Sequence, residues 1–246
     1  MDTTRILEKL DEYLGKNDYL AAERHLLYWL RECLLTRDGR GALLMHNELM
    51  GLYRKQGMQE PALREVQDAL ALVSSLGLAD TVSGATTYLN CATVYKAFDR
   101  WEDALPLYER ARLIYERDLP AGDERFGGLY NNMALALVDA ERYDEANDLY
   151  ARAISVMEAS PDGGPEVAIT LLNMADALEA QYGILEREEE LEELLERAKH
   201  LLDSHPTRDG YYAFVCEKCA PIFGYHGDPD YMEELCERAR SIYEGA

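Results

Sequence analysis

The stretch Leu129–Ala153, LYNNMALALVDAERYDEANDLYARA, sets small alanines among large aromatics at regular intervals. The same arrangement stands 42 residues earlier, where Trp101-Glu102-Asp103-Ala104 underlies Tyr143-Asp144-Glu145-Ala146. That offset also takes Asn90 to Asn132, Ala92 to Ala134, Tyr108 to Tyr150 and Ala111 to Ala153. A second step back takes Ala104 to Ala62, Tyr95 to Tyr53 and Ala111 to Ala69, and a step of 40 then reaches Ala22. Forward, Arg152-Ala153 returns as Arg197-Ala198 after 45 residues and as Arg238-Ala239 after 41 more. Self-similarity at such a period marks a repeat architecture. The units fall at about 1–38, 39–78, 79–120, 121–162, 163–206 and 207–246.

Each unit reads as two helices. In the fourth, GGLYNNMALALVDA and YDEANDLYARAISVM both carry an apolar stripe at helical spacing, with a short turn at Glu141-Arg142 between them. Ser160–Pro165 (SPDGGP) breaks the chain before the fifth unit. Gly15, Gly57 and Gly77 stand where helices should end, and Pro61 and Asp228-Pro229 where they should begin. The alanines mark places where helix axes approach to about 8–10 Å, so only a small side chain lets ridges enter grooves. One pair of helices cannot bury both its faces, so the pairs must stack. The fold expected is all-α, with almost no strand.

The small residue in the first helix (Ala92, Ala134, Ala175, Ala220) carries a family resemblance, as does the one early in the second (Ala22, Ala62, Ala104, Ala146). An aromatic follows four residues on (Tyr108, Tyr150), and an alanine three beyond it. The pattern resembles the tetratricopeptide repeat family, and the longer unit resembles its kinesin-light-chain-like variant. The resemblance implies a single right-handed α-solenoid domain over 1–246, built of about six antiparallel helix pairs. It implies no enzyme but a scaffold that binds a protein or extended peptide in its concave groove. The chain departs from the pattern at Leu10 and Met50 in the first helices, and at Leu191 and Met232 in the second. Three residues are inserted in the fifth unit, where altered packing is expected.

Net charge is −22, which repels phosphate backbones and anionic lipid surfaces, so neither nucleic acid nor membrane is expected as a partner. No segment nears the roughly 20 apolar residues that span a bilayer, and the N-terminal residues lack an apolar signal core, so a cytoplasmic protein is expected. The odd count of five cysteines (Cys33, Cys91, Cys216, Cys219, Cys236) argues for reduced thiols. Cys216-x-x-Cys219 has the spacing of a zinc or redox pair. The repeat register instead sets Cys219 beside Ala220 as Cys91 is beside Ala92, and Cys236 at the place of Tyr150. All three are therefore expected as core residues, with no metal and no cofactor. No phosphate-binding glycine loop, HExxH or GxSxG occurs.

The candidate binding residues lie on the first helices. Asn90, Asn132 and Asn173 each stand two residues before the alanine slot, about 200° round the helix, and so point away from it. In the resembled family the inner face of this helix lines the groove, and an asparagine here often holds the backbone of an extended peptide. An amide suits that task because it both donates and accepts. The competing role is to bond neighbouring helices and shape the stack. Asn131 adjoins this row. One turn on lie Arg54, Lys55 and Lys96 in early units, then Asp139, Asp176 and Glu179 in later ones, so the groove is expected to be basic toward one end and acidic toward the other. Two alternatives accompany this reading: a regulator sensing a short signal peptide, and a self-assembling adaptor joined weakly through an uncapped last helix that includes Leu235, Ala239 and Ile242. The acidic segment Glu188–Glu193 is a further candidate surface.

Overall fold

The computed structural model describes residues 3–183 and 186–245. The described residues form twelve α-helices and no strand. They are α1 (Thr3–Leu14), α2 (Tyr19–Thr36), α3 (Gly39–Lys55), α4 (Gln59–Ser75), α5 (Val82–Ala97) and α6 (Trp101–Asp118), followed by α7 (Arg125–Asp139), α8 (Tyr143–Met157), α9 (Gly164–Tyr182), α10 (Glu188–Ser204), α11 (Gly210–Tyr225) and α12 (Pro229–Gly245). Each of the six stretches of sequence holds two of them, and the two pack together as a pair. The class is that of an α-solenoid of helix pairs. The chain divides into two compact units, residues 1–121 and 122–246, of three pairs each.

The turn inside the pairs is one device repeated. Asn17, Gly57, Asp99, Glu141 and Gly227 hold the same place, and all have a left-handed φ of 53–94°. The residue after each donates its N–H back to a carbonyl five residues earlier, as Met58 does to Tyr53, Arg100 to Tyr95 and Arg142 to Leu137, at 2.8–3.0 Å. This is the Schellman bond that closes a helix and reverses the chain within a few residues. Where glycine is absent the backbone bond still holds the turn, at the steric cost of a side chain in the left-handed region. Side-chain caps then start several helices: Asp18 accepts from Ala21, Asp38 from Gly41 and Asp228 from Tyr231.

Packing follows the alanines. Ala22, Ala62, Ala69, Ala92, Ala104 and Ala111 are fully buried in the first unit, and Ala134, Ala146, Ala153, Ala175, Ala198 and Ala220 in the second. Tyr108 and Tyr150 fill the space beside them with no exposure. Within the first unit α3 packs on both α4 and α5; within the second α9 packs on α7, α8, α10 and α11. The first helix of a middle pair is thus the most enclosed, which is why α9 runs apolar almost all round (Val167, Ala168, Ile169, Leu171, Leu172).

Two expectations are corrected at the last helix. Cys236 is exposed, not buried, although its register position is that of Tyr150. In α8 that edge is covered by α9, whereas α12 is the final helix and buries only the single row Tyr231, Leu235 and Ala239. Cys216 and Cys219 do occupy the core. Burial pushes the Cys219 thiol up to about 12, as it does that of Cys91. The apolar side of α12 is also not left uncovered. Tyr231 and Leu235 are buried, Ile242 and Tyr243 pack against the core, and none of the large exposed apolar side chains among the described residues lies on α12. The premise for self-association through that face is therefore absent. Among the described residues no helix is long and apolar enough to cross a membrane.

Candidate peptide-binding grooves

The expected row of asparagines is two separate clasps, one in each unit. In the first, Asn90 on α5 donates to the Asn47 carbonyl on α3 at 2.7 Å. The Asn47 amide in turn donates to Leu43 O at 2.8 Å and to Thr87 Oγ1 at 3.2 Å. In the second, Asn173 on α9 donates to the Asn131 carbonyl on α7 at 2.9 Å. Asn131 and Asn173 are both buried, while Asn90 and Asn132 are half-buried. The acceptors Asn47 and Asn131 stand 84 residues apart and the donors Asn90 and Asn173 stand 83 apart, so the clasp recurs with every second repeat. It ties the first helices of neighbouring pairs together, as a buried amide must be satisfied somewhere. Asn47 belongs to this set and was missed by sequence reading, although it lies one repeat from Leu89 as Asn131 does.

Asn132 is different from its two aligned partners. Its carbonyl lies 3.5 Å from the Asn131 amide, a weak contact, and its own amide nitrogen makes no hydrogen bond among the described residues. It sits one repeat on from Asn90.

The charged row divides between the units as well. The place held by Arg54 is held 42 residues later by Lys96, then by Val138, then by Glu179. Arg54 is exposed and Lys96 half-buried at the ends of α3 and α5. In the second unit Asp139 ends α7 and is exposed, while Asp176 and Glu179 lie on one face of α9. His226, just past α11, has a buried side chain whose Nε2 is 3.3 Å from Asp176 and whose Nδ1 is 3.8 Å from Glu179. The Tyr225 hydroxyl donates to Glu179 at 2.7 Å. Loss of water around Asp176 raises its pKa, with Glu179 adding to the rise and His226 opposing it. Tyr225 and His226 lie 46 and 50 residues from their partners, and no short motif announces them.

Beneath these carboxylates is an unpaired group. The Tyr150 side chain is fully buried, and its hydroxyl has no hydrogen-bond partner. Burial first, then the nearby Asp176 and Asp139, hold its phenol well above the usual range, so it is neutral and can donate. Its counterpart Tyr108 donates to Thr93 at 3.2 Å. In the second unit that partner's place is taken by Leu135, which cannot accept. A buried hydroxyl left unpaired costs about 1–3 kcal/mol. It has the character of a group awaiting a ligand or water.

Sequence models of the tetratricopeptide repeat family match residues 126–199 and 85–117. No curated protein matches the chain. Among solved structures, the nearly identical TPR-like repeats of a kinesin-light-chain-type protein from Podosopora anserina are 18% identical, with a TM-score of 0.56 over 81% of this chain and 94% of that one. BtubC (BKLC) from P. vanneervenii is 18% identical, with a TM-score of 0.58 over 94% of this chain and 91% of that one. At this identity the likeness speaks to the fold.

Proposed function

We propose that the chain, whose residues 85–117 and 126–199 match tetratricopeptide repeat models and whose fold is like that of kinesin-light-chain-type repeats, is a non-enzymatic scaffold whose second unit holds an extended peptide by a lysine or arginine side chain. The observation that supports this most is the pair Asp176 and Glu179 on one face of α9, Asp176 being partly desolvated. A carboxylate kept in a partly desolvated place resists losing its charge only at an energetic cost, which an incoming cation relieves. Asp176 and Glu179 receive the cation; Asn132 donates to a main-chain carbonyl of the same peptide. The corresponding places in the first unit are Arg54 and Lys96, which repel a cation and suit an acidic side chain.

The test uses labelled seven-residue peptides, one alternating lysine with alanine and one alternating glutamate with alanine, and measures fluorescence anisotropy with the intact chain. The lysine peptide binds and the glutamate peptide does not bind the second unit. Asp176→Asn with Glu179→Gln weakens the lysine peptide at least tenfold with an unchanged melting curve, and added salt weakens the wild-type interaction. Equal affinity for the wild-type and neutralised proteins removes the proposed site from the α9 face.

A further inference from the structure

Helix α2 has two opposed faces. Ala22, Leu26 and Cys33 face the core and are buried. On the other side Leu20, Leu27, Tyr28, Leu34 and Leu35 are 42–68% exposed. At 100° per residue these five and the exposed Arg24 and Arg31 fall within an arc of about 120°, roughly opposite the buried row. From Leu20 to Leu35 the stripe runs about 23 Å at 1.5 Å per residue, some four turns. The spacing of Leu20, Leu27 and Leu34 is seven residues, the repeat by which one helix keeps a seam against another.

The two arginines say what covers it. Several arginines of this acidic chain pair with carboxylates, as Arg100 does with Asp103, Arg112 with Glu109, Arg142 with Glu145 and Arg197 with Glu158. Arg24 and Arg31 have no acidic partner among the described residues. They are also seven residues apart and lie inside the apolar stripe. We infer that this face of α2 docks an amphipathic helix of a partner protein, one with a leucine-type stripe and aspartate or glutamate at heptad spacing beside it. Apolar contact gives the affinity, and the two guanidiniums fix register and reject basic helices. A second copy of the chain fits less well. With two α2 stripes antiparallel about the midpoint of Leu27 and Tyr28, Arg24 meets Arg31 of the copy, and two chains of net charge −22 are brought together. That same charge opposes an anionic membrane.

Two labelled three-heptad peptides serve as probes, both with leucine at the first and fourth heptad positions. One has glutamate and the other lysine at the flanking positions, and binding to the full chain is read by fluorescence anisotropy. On the Asp176→Asn, Glu179→Gln background, where the α9 carboxylates cannot hold a lysine, the glutamate peptide binds and the lysine peptide does not. Leu27→Glu with Leu34→Glu weakens the glutamate peptide at least tenfold, with the thermal melt unchanged because both side chains are exposed. Arg24→Glu with Arg31→Glu reverses the preference toward the lysine peptide, an outcome that mere stickiness of the stripe would not give. The inference is overturned if both peptides bind equally or if the arginine reversal leaves the preference as it was. It is overturned equally by sedimentation showing a dimer that Leu27→Glu disperses, which assigns the face to a second copy. Binding to phosphatidylserine vesicles with no peptide binding assigns it to lipid and likewise overturns it.

Discussion

In the first unit Asn90 donates to Asn47, and in the second Asn173 donates to Asn131, each bond linking the first helices of two neighbouring pairs. The alanine slots agree in the same way: Ala92, Ala104 and Ala111 are buried in one unit, and Ala134, Ala146 and Ala153 in the other. Outside these positions the units diverge. Tyr108 has Thr93, whereas Tyr150 has Leu135 and no partner. Arg54 and Lys96 hold the place that Glu179 holds later. The positions that set helix distance and helix register are kept, and the positions one turn away toward the groove are reset in charge and hydrogen bonding. Such a division lets two units built by one packing rule differ in the faces they present.

The largest expected effect tests the shared part. Ala104→Trp in the first unit and Ala146→Trp in the second force a large ring into contacts with no free space, where overpacking costs about 1–3 kcal/mol and sometimes more. Both variants should lose several degrees or more in melting temperature and by similar amounts. A marked difference between them would mean that the two units do not share their packing rule, and an unchanged melt in both would remove the alanine register itself.

Alkaline solution should also treat the units alike. Cys91 and Cys219 occupy the same slot, and burial holds both thiols near 12 against about 9 when exposed. The folded state therefore keeps its protons while the unfolded state gives them up, so this stability is complete below about pH 9 and is lost as pH rises toward 12. The urea midpoint should fall steadily over that window. Cys91→Ala with Cys219→Ala should flatten the early part of the fall, before the phenols take over. A midpoint independent of pH from 8 to 11 would contradict the burial of both thiols.

The clasps separate the units by degree. Asn173→Ala leaves the buried Asn131 side-chain carbonyl without its donor and should cost about 1–3 kcal/mol. Asn90→Ala leaves a half-buried group that water reaches, at about 0.5–1.5 kcal/mol, and Asn47 keeps its bond to Thr87. Urea denaturation of the two variants side by side checks the order. Equal costs would show the second clasp to be as wet as the first.

What the sequence disclosed follows the same division. The helices, their pairing and the buried alanines were legible because each repeat restates them, so that Ala146 could be read from Ala104 and Ala62. The donor places Asn90 and Asn173 were legible as a register, but not their partners, since a side-chain bond depends on the neighbouring helix as much as on its own. Asn47 could have been found from its spacing to Asn131, two repeats on. Cys236 was misread because the register carries burial only where another helix follows, and none follows α12 among the described residues. His226 reaches Asp176 from a helix end in the next pair, 50 residues on, which no local pattern encodes. The outer face of α2 was not read from the repeat, because leucines at seven-residue spacing look like a second core face until their exposure is known.

The smallest effect bears most directly on the difference between the units. Tyr108→Phe removes a bond to Thr93 and should cost about 0.5–1.5 kcal/mol. Tyr150→Phe removes a hydroxyl that has no partner, so it should be neutral or stabilising by up to about 1 kcal/mol, the burial cost of that hydroxyl being relieved. The opposite exchanges sharpen the contrast. Thr93→Leu removes from Tyr108 the acceptor that Tyr150 lacks, with a loss near that of Tyr108→Phe. Leu135→Thr offers Tyr150 the partner that Tyr108 has, and should recover part of the cost. Binding does not follow stability: the Tyr150 hydroxyl is fully buried and meets no bound peptide, so Tyr150→Phe should leave the affinity for the lysine peptide nearly unchanged. Melting curves and peptide anisotropy on the same four variants decide the matter. A Tyr150→Phe protein that is clearly less stable would show that the hydroxyl is already satisfied, and the second unit would then be a structural copy of the first at this position.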